Sequence, residues 1–240
     1  MRASKAVIVA AGLSSRLYPL TQNTPKGLLD INGETLLGRS IRLLKENGLT
    51  DVGVVAGFRI ESMRASLAGV EIIPNPFYRH CNNMGSLFMA KSFVNGEPFV
   101  YLHGDLIYSE KMLASFIGQA SAGSADMHLL VDSDSIDEEA MKVRLDSTGK
   151  FVESSKSIPL DQAAGEWTGI ALMENVPALF EAIERHLMDV DLNHYDTAAF
   201  NEMATGGFSI NCIETAGEPW KEIDGADDLS HARSMFESKR

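Results

Sequence analysis

A chain of 240 residues, 45% of them hydrophobic, can bury a substantial core in one large α/β unit. Its formal charge of −12, with no Lys/Arg-rich stretch to offset it, speaks against a nucleic acid partner. The two cysteines, Cys81 and Cys212, stand far apart and outside Cys-x-x-Cys spacing, which suits a reducing compartment and argues against a structural zinc site.

Residues 5–10 read as a buried strand, because Ala6-Val-Ile-Val9 is a short β-branched run closed by a glycine turn. Arg2 and Lys5 precede this run as they would in a secretory leader, but the apolar stretch 6–11 is too short. It leads into Gly12, Ser14, Ser15 and Arg16 without a cleavage context. No stretch is long and apolar enough to span a bilayer, so a cytoplasmic protein with no membrane partner is expected. A loop to about Pro25 and a short strand over 28–31 precede a helix from Thr35, whose apolar positions Leu37, Ile41 and Leu44 recur until Gly48. Strands over 52–56, 70–73 and 99–103 then alternate with helices over 60–67 and 87–93. Such alternation predicts an α/β fold: a Rossmann-like, mostly parallel sheet with helices on both faces and ligands beyond the carboxyl ends of the strands.

Beyond Met112 the pattern changes. Strands are expected over 126–132, 141–145 and 150–152, the last two joined by the turn Asp146-Ser-Thr-Gly149, which is antiparallel material. Helices over 176–186 and 195–203, a strand over 208–213 and a closing helix over 226–236 complete the chain. With no repeat or linker, one domain over 1–240 with a small inserted antiparallel lobe is expected.

The first 29 residues hold no acid, although acids make up 33 of the 240, and they carry Arg2, Lys5, Arg16 and Lys26. A strand ending in Ala10-Ala11-Gly12 and a loop of small residues form a backbone able to wrap a polyanion, with two cations closing the sides. A solvated loop with chance basic residues fits the same pattern equally well. The Walker pattern G-x-x-x-x-G-K-[ST] is absent, and G-x-G-x-x-G fails at Ser14 and Leu17. Tyr101-Leu-His-Gly-Asp105 sets a carboxylate just past a buried strand, where a plain Gly-Asp turn is the alternative. Asp224 precedes the last helix, where it could equally serve as a cap. Together, two aspartates opposite a basic glycine-containing loop make a minimal Mg²⁺-nucleotide site.

The string AAGLSSRLYPLTQNTPKGLLDINGETLLGRSI resembles the signature A-A-G-x-x-[ST]-R-[LM]-x-P-L-T-x-x-x-P-K of nucleotidylyltransferases that activate sugar phosphates, phosphocholine and phosphonates. His103-Gly-Asp105 is similar to that superfamily's metal-binding Asp, and WKEIDGADDLSHAR to its closing E-I-D-x-x-x-D-L segment, so the resemblance spans nearly the whole chain. Asn82-Asn-Met-Gly-Ser-Leu87 resembles the N-N-x-x-S-L segment that lines the cytosine pocket of choline-phosphate and phosphonate cytidylyltransferases, which favours CTP. Loop asparagines capping a following helix are the alternative for Asn82 and Asn83.

The resemblance implies the nucleotide-diphospho-sugar transferase fold, with Mg²⁺ as cofactor on Asp105 and Asp224 and with Arg16 and Lys26 as catalytic cations. Ala10, Ala11, Gly12, Leu13, Ser14, Ser15, Asn82, Asn83, Ser86 and Asp105 would surround the nucleotide. For the acceptor, the segment Asp137-Glu-Glu-Ala-Met-Lys142 lacks the aromatics that enclose a choline ammonium, which favours a phosphonate such as 2-aminoethylphosphonate or another small phosphorylated compound. Lys142, Lys156, Glu166, Tyr195 and Asp196 would receive it; an exposed Glu, a core Tyr and a helix-cap Asp are the plain readings of the last three. Residues 1–125 would then be mainly the nucleotide core, 126–215 mainly the acceptor part and 216–240 the metal-ligand segment and final helix. A homodimer is left open.

Overall fold

The computed structural model describes residues 3–134, 136–188 and 193–237, so Arg2 lies outside the described residues. Strand β1 (Lys5–Ala10) runs into the basic loop, where two short 3-10 turns, Ser15–Leu17 and Lys26–Leu28, carry Arg16 and Lys26. The second turn shortens the strand expected over 28–31 to β2 (Asp30–Ile31), which pairs with β3 (Glu34–Thr35) through Asn32-Gly33, both at positive φ. Helix α1 (Leu36–Glu46) starts where expected, with the Thr35 hydroxyl accepting from Gly38 N at 3.0 Å. Then follow β4 (Asp51–Ala56), α2 (Ile60–Ser66), β5 (Glu71–Pro74), α3 (Asn83–Met89), α4 (Lys91–Val94) and β6 (Phe99–His103). Next come β7 (Leu106–Tyr108), α5 (Glu110–Ala122), β8 (Met127–Asp132), β9 (Lys142–Leu145), β10 (Phe151–Ser155) and β11 (Gly165–Met173). The chain closes with α6 (Val176–Leu187), α7 (Thr197–Thr205), β12 (Ile210–Glu214), β13 (Trp220–Glu222) and α8 (Ala226–Met235).

Strands β5, β4, β1 and β6 lie side by side and parallel, as the alternation predicts. On the far edge of β6 the long strand β11 runs antiparallel, and β8 lies along its other side, followed by β12 parallel to β8. The first residues of β11 pair with β9, which forms the expected antiparallel hairpin with β10. This hairpin is therefore continuous with the main sheet.

Alternate side chains of the strands enter two cores. Val7, Val9, Phe99 and Tyr101 face the layer of α3, α6 and α7, whereas Ala6, Ile8, Val100 and Leu102 face α1, α2 and α5. Helices thus cover both faces. Among the described residues no helix is long and apolar enough to cross a membrane.

A third cluster positions the site. Leu17 of the basic loop, Ile31, Ile107 and Ile223 pack together with Leu229 and Ala232 of α8. Burying these side chains, each leucine or isoleucine contributing about 1.5–3 kcal/mol on full burial, seats the end of the chain against its beginning. The short ladder between β13 and β7 aligns Glu222 with Leu106, and Ile223 N donates to the Asp105 carbonyl at 2.9 Å. Residues 105 and 222–224 are brought alongside each other by this ladder.

Candidate active site

Asp105 stands one residue beyond Gly104, whose N–H donates to the Val9 carbonyl at 2.8 Å. A Cβ on Gly104 would sit 2.6 Å from the Ala10 Cβ and 2.8 Å from the Val9 oxygen, so the ends of β1 and β6 meet only because this residue has no side chain. Gly104→Ala is expected to cost about 2 kcal/mol, lowering Tm by roughly 5 °C in a thermal melt; an unchanged Tm would show that the two strand ends can part freely.

The Lys26 ammonium donates to Asp105 Oδ2 at 3.0 Å and to Asp224 Oδ1 at 3.1 Å. The Arg16 guanidinium reaches the same Asp224 oxygen at 2.9 Å. Burial disfavours the charged form of Lys26, but Asp105 and Asp224 outweigh it and raise its pKa. Burial likewise disfavours the Asp105 carboxylate, yet Lys26 and then His103 hold its pKa below the usual range. Asp224 is not a cap: Asp228 accepts from the N–H groups of Gly225 at 2.8 Å and Asp224 at 3.1 Å, leaving the Asp224 side chain to the two cations.

Glu222, absent from the sequence expectations, joins this pair. Carboxylate oxygens of Asp105, Glu222 and Asp224 lie within 4.8 Å of one another. Although Glu222 is exposed along the cleft wall, loss of water around its carboxyl group and then the charges of Asp105 and Asp224 push its pKa up to about 7. Asp105 Oδ1 is buried and has no hydrogen-bond partner. Three hard oxygen donors, with an unsatisfied buried oxygen on Asp105, fit a cation of the Mg²⁺ type.

These groups open into a cleft of about 760 Å³. Ala10, Ala11, Gly12, Ser14, Arg16 and Lys26 line one end, and Asn82, Asn83 and Ser86 line the side formed by α3. Asn82 does cap this helix, accepting from Asn83 N at 2.8 Å, and still faces the cleft. The Ser86 hydroxyl accepts from Asn75 Nδ2 at 3.0 Å. Lys156, Glu166 and Tyr195 line the cleft as well. Tyr195 is no core residue; it is 42% exposed, with the Lys156 ammonium 5.9 Å from its ring.

Leu13, Ser15, Lys142 and Asp196 are not among the residues lining this cleft. Lys142 is buried, its ammonium donating to the Glu138 carbonyl at 2.6 Å, and it faces a separate hollow beside Ile158 and Pro159. Asp196 is fully buried behind the cleft wall and caps α7, accepting from Thr197 N at 2.9 Å. Its Oδ2 accepts from the Tyr101 hydroxyl at 2.7 Å and meets His103 Nε2 at 2.9 Å. Burial works against the imidazolium of His103, but Asp196 prevails and pushes the pKa up to about 9.

The cleft also holds acids that the sequence reading did not assign to the site. Asp132, Asp137 and Glu139 line it together with Glu166, whose pKa burial and then the neighbouring acids push up to about 7. The aromatics lacking in segment 137–142 come from elsewhere: Trp167, Tyr195 and Trp220 line the cleft, Trp167 with its ring 4.9 Å from that of His103.

Residues 6–194 match the MobA-like NTP transferase domain family. The chain belongs to this family. An Aquifex aeolicus protein named bifunctional IPC transferase and DIPP synthase is 30% identical over 96% of the chain. A CMP-5′-(3-aminopropyl)phosphonate synthase of Streptomyces rubellomurinus is 26% identical over 98% of the chain. The chain spans 51% of the first relative's length and 39% of the second's. Among solved structures, the inositol-1-phosphate CTP transferase from T. maritima superposes with a TM-score of 0.80 at 20% identity, covering 100% of this chain and 98% of that one. The nucleotidyltransferase fold expected from the sequence is the fold of this family member.

Proposed function

We propose that this chain is a cytidylyltransferase that transfers CMP from CTP to a small phosphonate or phosphorylated acceptor and releases pyrophosphate. The observation that carries the reading is the bridge from the basic loop to two distant acids: Lys26 binds Asp105 and Asp224 at once, with Arg16 beside them. An acceptor oxyanion attacks the α-phosphorus of CTP while the bond to pyrophosphate breaks in line. The obstacle is the approach of two anions, so the protein's work is positioning and charge neutralisation. Lys26 and Arg16 supply positive charge to the triphosphate and to the leaving pyrophosphate. Phosphonates and phosphate monoesters carry negative charge near pH 7, so the nucleophile needs no general base.

Mg²⁺ held by Asp105, Asp224 and Glu222 would supply Lewis-acid neutralisation at the phosphate oxygens. The cytosine preference is supported by the placement of Asn82, Asn83 and Ser86 on the cleft wall and by the CMP product named for the Streptomyces relative. At the acceptor end, Lys156 suits the anionic phosphonate. Asp132, Asp137, Glu139 and Glu166, with Trp167 and Tyr195, suit a cationic amine on the same molecule.

Pyrophosphate release, measured with each of the four nucleoside triphosphates and with 2-aminoethylphosphonate, phosphocholine, inositol phosphate and sugar 1-phosphates, tests this reading. CTP with an amine-bearing acceptor is expected to turn over fastest, and EDTA to stop turnover. A clear preference for UTP or dTTP with a sugar 1-phosphate would replace the proposal.

A further inference from the structure

The sequence places Asp196 beside Tyr195 among the acceptor residues, but the fold turns these neighbours in different directions. Tyr195 lines the cleft, while Asp196 lies fully buried behind Asn83 and His103, which do line it. A buried carboxylate has to be satisfied, and this one is held by Thr197 N, the Tyr101 hydroxyl and His103 Nε2. These bonds come from β6 and from the first turn of α7, so they fix where the helix starts. The backbone N–H of Asp196 in turn donates to Asn83 Oδ1 at 3.0 Å.

That last bond decides the polarity of a residue in the cleft. A side-chain amide has a carbonyl oxygen and an NH₂ group on opposite sides. With the Asn83 oxygen engaged from behind, the nitrogen is turned towards His103 and the cleft. Nδ2 lies 3.1 Å from His103 Nε2, but that nitrogen donates its own hydrogen to Asp196 Oδ2 and takes neither amide hydrogen. The amide N–H is left for a ligand acceptor. At N3 cytosine offers an acceptor where uracil offers an N–H donor, while O2 accepts in both, so an N–H donor aimed at N3 tells the two bases apart. An amide free to rotate would present either face and lose that distinction.

We propose that Asp196 is a positioning residue for the nucleotide: through the start of α7 it holds Asn83 as an N–H donor facing the base. The inference rests on the nucleotide-transfer reading of the cleft, and it assigns Asp196 to the nucleotide in place of the acceptor.

Isothermal titration of each of the four nucleoside triphosphates with Mg²⁺ into the wild-type chain, Asn83→Ala, Asp196→Ala and the double variant tests the link. Each single substitution is expected to raise the Kd for CTP about tenfold, the scale of one hydrogen bond to a ligand. Because one residue acts through the other, the double variant should bind no more weakly than Asn83→Ala. The KM for the acceptor should not change. Additive losses of about a hundredfold in the double variant, or unchanged CTP binding in Asp196→Ala, would overturn the proposal. So would a raised acceptor KM without a change in nucleotide affinity. Should Asp196→Ala not fold, Tyr101→Phe removes one of the bonds to Asp196 and keeps the ring; it should weaken CTP binding two- to threefold, and only when Asn83 is present. If the wild type binds another nucleoside triphosphate more tightly than CTP, the functional reading fails, and the cycle is read with that nucleotide.

Discussion

Asp105→Asn is expected to lower kcat by about two orders of magnitude or more at saturating CTP and Mg²⁺, the scale of one preorganised charge contact. The substitution keeps shape and volume but removes the negative charge that Lys26 and His103 hold ionised. It also turns the partnerless Oδ1 into part of a neutral amide, a poorer ligand for a hard cation. The fold should persist, because the backbone carbonyl of Asp105 still accepts from Ile223 N and the third hydrophobic cluster is untouched. Single-turnover and steady-state rates, read beside a urea melt, separate the two effects. Near-normal turnover would remove Asp105 from the chemistry.

Lys26→Ala should be as damaging to kcat, again by about two orders of magnitude or more, and for a related reason. The Lys26 side chain is only 11% exposed and touches both aspartates, so its charge acts in a poorly solvated place. Arg16, with its side chain 73% exposed, bonds to Asp224 alone and cannot take over. Arg16→Ala is therefore expected to cost less, about tenfold. Lys26→Arg should not restore full activity, since a planar fork cannot replace a compact ammonium between two carboxylates. Equal losses for Arg16→Ala and Lys26→Ala would show that burial does not set the size of the effect.

Much of the first half of the chain was legible because its signals are local. The run Ala6-Val-Ile-Val9, the small-residue turn after it and the helical spacing of Leu37, Ile41 and Leu44 all act over a few residues, and each became the expected element. The strands that align the acids were not legible. Strands β7 and β13 are three residues each, too short for a period, and their pairing is a tertiary event. Glu222 was missed with them, although Glu222 and Asp224, two apart on an extended segment, point to the same side and gave a usable signal. Strand β11 is apolar along most of its length, being paired on both edges, and Gly169 at positive φ interrupts it. Helix α5 alternates its apolar face with small residues, which hides the face formed by Met112, Phe116 and Ile117. Helix α3 begins at Asn83 and not at Leu87, where the Asn82 side chain caps it, and Gly85 falls inside it at a point where a side chain would strike Cys81.

Residue identity also left the direction of some side chains open. Tyr195 and Asp196 are adjacent, and only the start of α7 shows that one faces the cleft while the other is buried behind it. Lys142 illustrates the same point: its stem lies in a strand paired with β11, and its ammonium is taken by the Glu138 carbonyl.

Anomalous diffraction from a crystal of this protein with CTP and Mn²⁺ addresses the bridge between loop and acids most directly. A manganese peak in contact with Asp105 and Asp224, with the triphosphate lying along residues 10–16 and against Lys26, is the expected result. A nucleotide seated elsewhere, or a metal bound away from both aspartates, would contradict it.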